Sequence, residues 1–206
     1  MTNQIFPTKS NLISTKKSLE LARLGFELLD RKRNILIREM MLLIDDANVI
    51  QRQINVTYSQ AYDALQQANI TLGVCDSIAQ SVPVEQSLVL SARSVMGVEI
   101  PMVGLSPAPK ELHYGFDSSN SLFDLAYSQF HEVKLLTARL AEIENCVYRL
   151  ANAIQKTQKR ANALKNIMIP RFEQTVKCIA DALEEKEREE FSRLKVIKAK
   201  KEGSFA

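Results

Sequence analysis

From Leu12 onward, an apolar residue returns every three or four positions for sixty residues. Stepping by 3.5, the row includes Leu12, Leu19, Ala22, Phe26, Leu29, Leu36, Met40, Leu43, Ala47, Ile50, Ile54, Ala61, Ala64 and Ala68. Fourteen of its eighteen positions are apolar, and the exceptions are Thr15, Arg33, Thr57 and Thr71. A 3.5-residue period held over this many heptads is the seam of a coiled coil. No Gly or Pro interrupts residues 26–72, so the pattern predicts one long helix from about Asn11 to Leu72. Ser10 or Asn11 is the expected N-cap, because either side chain accepts from an orphan backbone N–H.

A second row starts after Ser118-Ser119-Asn120, a cluster suited to helix initiation. It reads Leu122, Ala126, Gln129, Val133, Leu136, Leu140, Ile143, Val147, Leu150, Ile154, Thr157, Ala161, Leu164 and Met168, with only Gln129 and Thr157 polar. Beyond Pro170 the apolar set changes phase to Phe172, Val176, Ile179 and Leu183. Proline removes a donor and crowds the preceding turn, so a kink is expected there, with helix continuing to about Lys200. Sixty residues at 1.5 Å each make a helix of roughly 90 Å. A compact bundle of shorter helices would need breakers that these runs lack. The expected fold class is therefore all-α dominated: a long antiparallel two-helix coiled coil, with a short β-hairpin and loop in the middle third.

The division that follows is 1–73 for the first long helix, 74–118 for the middle segment and 119–206 for the second long helix with its basic end. Pro83, Gly97, Pro101, Gly104, Pro107, Pro109 and Gly115 crowd that middle segment. Val98, Ile100 and Met102 alternate with Gly97, Glu99 and Pro101, the period of a half-buried strand. Leu88-Val89-Leu90 supplies the partner strand, with the turn expected near Ala92 to Ser94, and Ser106 to Pro109 reads as loop. A lone two-stranded hairpin is marginal in water and must pack on something.

Charge sorts along the chain. Residues 1–52 hold nine basic and six acidic residues, 53–155 hold five and ten, and 156–201 hold thirteen and seven. In an antiparallel hairpin the two basic blocks lie side by side, giving the two ends different partners. The run Glu184 to Glu190 reads first as a solvated helical face. The closing Arg193, Lys195, Lys198, Lys200 and Lys201 lack interleaved aromatics until Phe205, which argues against nucleic acid. Three scattered cysteines without a leader fit a reducing cytosol, and the longest apolar run, Met40 to Ile44, is far short of a membrane span.

No phosphate-binding glycine loop, metalloprotease motif or nucleophile elbow occurs. His113 and His131 read as surface or packing residues and Cys146 as a packing cysteine, so no catalytic, cofactor or metal site is expected.

Pro7 to Leu12 with Gly25-Phe26-Glu27-Leu28-Leu29-Asp30-Arg31-Lys32-Arg33, the strand Met96-Gly97-Val98-Glu99-Ile100-Pro101, Arg160 to Leu164, Ile169-Pro170-Arg171, and Leu183 to Lys195 occur in this order. Together they resemble the D subunit of V/A-type (vacuolar/archaeal-type) rotary ATPases over nearly the whole chain, least from Ile54 to Pro83. The resemblance implies a noncatalytic central rotor shaft that couples ATP hydrolysis or synthesis to H+ or Na+ transport. It implies as partners the catalytic and regulatory ring subunits of A and B type, the small F subunit of the central stalk, and the funnel-like C/d-type subunit above the membrane rotor ring. Nucleic acid and direct membrane insertion are not expected. The implied location is peripheral, on the cytoplasmic side of the membrane, and the short tail suggests a prokaryotic member. By matching positions, Arg31, Lys32, Arg160, Arg171, Arg188, Arg193 and Lys195 would face the catalytic collar. Val98, Ile100 and Pro101 would shape the hairpin. The rivals are a coiled-coil stalk of a type III export ATPase, which lacks the extra hairpin, and a nucleic-acid-binding helical arm.

Overall fold

The computed structural model describes residues 6–84, 86–105, 113–115, 117 and 119–203. The elements are α1 (Lys9–Leu72), α2 (Asp76–Ala79), β1 (Leu88–Val95), β2 (Val98–Leu105), α3 (Ser121–Ala163), a π turn (Leu164–Met168) and α4 (Ile169–Gly203). The single turn α2 lies in a segment whose sequence carries no helical period, and periodicity alone does not reveal it. The Ser106–Pro109 loop and Ser118 lie outside the described residues.

Helix α1 runs 64 residues without a break. Its cap differs from the expected Ser10 or Asn11: Thr8 Oγ1 accepts the Asn11 N–H at 3.2 Å, while Asn11 turns its amide to donate to the Phe6 carbonyl. The capping hydroxyl sits three residues before the N–H it accepts, so Thr8 starts the helix earlier than either candidate. Asn120 caps α3 as its cluster suggested, its Oδ1 accepting from the Phe123 N–H at 2.9 Å.

The chain forms two compact units, 1–33 with 156–206, and 34–155. In the first, the helices run antiparallel: Lys9 Nζ meets Glu187 at 2.9 Å and Arg23 meets Glu173 at 2.6 Å. Ala22, Ala161 and Ile179 are buried between them, and Phe172, Val176 and Leu183 are half-buried. The polar seam residues have partners. Thr15 donates to the Asn11 carbonyl at 2.7 Å, and Arg33 bonds Asp30 at 2.7 Å and Gln158 at 2.8 Å.

In the second unit α1 and α3 pair through three clusters. Leu36, Cys146 and Leu150 pack with Ile100 of the hairpin; Ile50, Ile54 and Ile143 pack with Leu43, Leu136, Leu140 and Val147 around them. The third gathers Ala68, Cys75, Tyr114 and Phe123 where the middle segment joins the helices. There the Tyr114 hydroxyl donates to Asp124 at 2.6 Å and its ring meets Phe123 edge-on at 4.9 Å. Burial first, and then the Asp124 carboxylate, hold the Tyr114 phenol well above the usual range.

The hairpin turn is Met96-Gly97, not Ala92 to Ser94. Both turn residues have positive φ, 51° and 76°, and Val95 pairs with Val98. Two consecutive left-handed residues match the right-handed strand twist, and a glycine at the second is the strongest local signal for such a turn. Arg93 and Ser94 are therefore strand residues. Along β2 the simple alternation also fails: Val98 and Ile100 face inward, but Met102 is exposed while Pro101, Val103 and Leu105 are half-buried.

Candidate functional surfaces

The hairpin is fixed to α3 by its outer edge. Because Val95 and Val98 flank the two-residue turn as a bonded pair, Glu99, Pro101 and Val103 turn their backbone groups away from β1. α3 meets that edge with three side chains. Arg149 donates to the Glu99 carbonyl at 3.3 Å, the Cys146 thiol to the Pro101 carbonyl at 3.2 Å, and Glu142 accepts the Val103 N–H at 3.2 Å. Positions 142, 146 and 149 lie on one helical face, so a single stripe of α3 satisfies one strand edge. Pro101 stands at a position where no ladder bond is required of its nitrogen. Burial, and secondarily Glu142, raise the Cys146 thiol above its ordinary pKa. Val98 and Ile100 thus pack toward the helices and Pro101 meets α3 through its carbonyl, while β1 is exposed over Leu88 to Ser94.

The seven basic residues singled out from sequence all lie in the first unit. Arg31, Arg160, Arg171, Arg188, Arg193 and Lys195 are exposed and Lys32 is half-buried. They divide by partner. Arg188 bonds Glu184 at 2.6 Å and Arg193 approaches Glu189 at 3.5 Å, each within one turn of α4. Among the described residues, no ion pair engages Arg31, Arg160, Arg171 or Lys195. The first unit carries twenty basic and eleven acidic residues, the second seven and thirteen.

The seam residues are buried or half-buried throughout, except Thr71: Leu36 and Leu150 are fully buried, while Leu19, Phe26, Leu29, Leu43, Leu136, Leu140, Val147, Ile154, Leu164 and Met168 are half-buried and Ile50 is buried. Sequence reasoning missed a second apolar set that faces outward. In the first unit Leu21, Leu24 and Leu28 are exposed on α1. So are Phe191 (70%), Leu194 (64%) and Ile197 (53%) on α4, within a stretch, 184–201, exposed at every residue. In the second unit Ile35, Leu42, Val49 and Val56 repeat at intervals of seven on α1, all exposed. The available signal was this period of seven, one position before the seam row, and attention to the seam alone passes over it. Among the described residues, none gather three or more metal-ligating side chains, and no helix is long and apolar enough to cross a membrane.

The sequence profile of the family described as the D subunit of ATP synthase matches residues 11–199. The D subunit of the V-type ATP synthase of Thermotoga neapolitana is 43% identical over 198 residues, which is 95% of this chain and 98% of that one. The D subunit of the A-type ATP synthase of Thermococcus sibiricus is 38% identical over 201 residues, covering 95% and 94%. The protein of the same description from Pyrococcus furiosus is 37% identical over 201 residues, again 95% and 94%.

Proposed function

Since the chain belongs to the family of ATP synthase D subunits, we propose that it is the noncatalytic central shaft of a V/A-type rotary ATPase. The shaft transmits torque between the catalytic ring and the ion-carrying membrane rotor. The observation that carries this reading is the end of α4. Past the Lys9–Glu187 pair, the helix presents Phe191, Leu194 and Ile197 to solvent among basic residues. Large side chains exposed in a row at helical spacing are covered in an assembly. A ring of A- and B-type subunits closing around the paired ends covers them, with Arg31, Lys32, Arg160, Arg171, Arg188, Arg193 and Lys195 toward that collar. The acidic second unit, with its docked hairpin, suits the small F subunit and the funnel-like subunit above the rotor. The chain is peripheral, on the cytoplasmic side of the membrane, held through those partners as part of a membrane-bound complex.

Stiffness is the mechanical requirement, and the long uninterrupted helix α1 supplies it; nothing in the chain needs to perform chemistry. An export-ATPase stalk or a nucleic-acid arm is disfavoured by likeness to ATP synthase D subunits over at least 94% of the relatives' length. The test is co-purification of the tagged chain from its native cell, with mass spectrometry of what accompanies it. Recovery of A- and B-type ring subunits with the small companion is expected. Recovery of an export ATPase, or of nucleic acid released by salt, overturns the reading. In the reassembled complex, reversing the charges of Arg188, Arg193 and Lys195 together weakens ATP-driven pumping; unchanged pumping removes those three from the collar contact.

A further inference from the structure

The seam of the second long helix contains one residue too many. From Leu122 to Met168 its apolar positions keep the 3.5-residue step, and continued in phase they would fall on Arg171, Thr175, Cys178 and Ala182. Those positions do not form the inward row: two of them are exposed, and Thr175 and Ala182 are only half-buried. Ile179 is buried at 3%, and Phe172, Val176 and Leu183 are half-buried, while Arg171 and Cys178 are exposed. The whole set is displaced by one residue, which on an unbroken α-helix would swing it about 100° off the partner helix.

The π turn Leu164–Met168 absorbs that residue. The Ile169 N–H bonds the Leu164 carbonyl, five residues back in place of four. A single π turn takes up one inserted residue and leaves the helix on either side in α geometry. Pro170 follows at once, where the opened turn relieves the crowding its ring would cause against the carbonyl four residues earlier. Packing is thin here. Between Ala161 and Ile179 no residue of the second long helix is buried, and none of α1 is buried between Ala22 and Leu36. Across from the turn stand Gly25, whose added Cβ would meet Leu164 at 3.7 Å, and Phe26, with Lys165 Nζ 5.7 Å from its ring centre.

We propose that the Leu164–Met168 turn is a skip joint, a one-residue surplus that re-phases the seam and concentrates the twisting compliance of the paired helices. Local opening is easiest where buried apolar contacts are fewest and the backbone has a second available winding. The torsional role rests on the shaft reading above; the re-phasing does not.

Amide exchange on the full chain tests it first. Residues 164–172 are expected to exchange on the order of tenfold faster than 150–161, and equal rates overturn the joint. Deleting Asn166 together with Pro170→Ala removes the surplus, seats Ile169 where Met168 was and joins the two rows in phase. That variant is expected to melt no lower than the parent and to lose the fast exchange. A control deletion of the exposed Glu144, which misphases an otherwise regular row, is expected to melt well below both. A deletion at Asn166 that is as damaging as the control overturns the proposal. Pro170→Ala alone is expected to keep the fast exchange; its loss there would make proline, not the surplus residue, the cause. In the reassembled complex, the skipless variant is expected to pump fewer ions per ATP. Unchanged pumping overturns the torsional role, whereas failure of the parent chain itself to assemble with ring subunits overturns the shaft reading instead.

Discussion

Leu36 and Leu150 are fully buried on facing helices of the second unit, while Leu140, ten residues from Leu150 on the same seam, keeps part of its surface in water. A buried leucine cut to alanine loses its transfer energy and leaves a cavity, together about 2–5 kcal/mol. Leu150→Ala is therefore expected to cost that much, and Leu140→Ala clearly less, by urea unfolding of the full chain. Equal losses would mean the two positions are equally enclosed. Tyr114 gives a prediction with a pH sign. Its phenol is raised above 10.0 in the folded chain, by burial and by Asp124. The protonated phenol's contribution is then intact below pH 10 and is lost as pH climbs, because the unfolded state releases its proton first. The stability of the parent relative to Tyr114→Phe should be flat from pH 7 to 9 and fall above pH 10. A difference that stays flat to pH 11 would place the hydroxyl in water.

At the scale of elements, legibility followed the length of the pattern. Helix α1 ends at Leu72 as read, because eighteen seam positions outvote any local preference. The hairpin was legible as an element but not in its turn. Met96 adopts φ 51°, an uncommon choice for a side chain of its kind, so Met96-Gly97 reads as strand until the register is known. The π turn left a trace as the phase change beyond Pro170, which reads as a kink when proline alone is considered. The Tyr114 cluster was invisible, since Cys75, Tyr114 and Phe123 share no period. Gly97 carries the clearest prediction. At φ 76°, a Cβ costs about 1–2 kcal/mol even in open space. Gly97→Ala should therefore lower protection of the amides of 88–105 while leaving the melting of the helices unchanged. Met96→Asn, better suited to a left-handed turn, should raise that protection.

At the scale of the whole molecule, charge and exposed apolar surface make different predictions about how the chain is gripped. The first unit holds a surplus of nine positive charges, yet two of the seven basic residues singled out are already paired along α4. Phe191, Leu194 and Ile197 have no such internal compensation. Replacing these three by serine alters only exposed positions, each worth about 0.5 kcal/mol or less in the isolated chain. Its melting should hardly move. Burial of one such side chain in a partner contributes roughly 1.5–3 kcal/mol, so even a fraction of three weakens assembly with the ring subunits at least about tenfold. Salt separates this from a grip by charge. Raising ionic strength from 0.1 M to 1 M shortens the screening length from about 10 Å to about 3 Å, weakening exposed ion pairs and sparing apolar contact. The expected outcome is assembly that survives 1 M salt and fails with the serine triple variant. Assembly that dissolves in salt but tolerates the serines would transfer the grip to Arg31, Arg160, Arg171 and Lys195, and leave the apolar row to some other face of the complex.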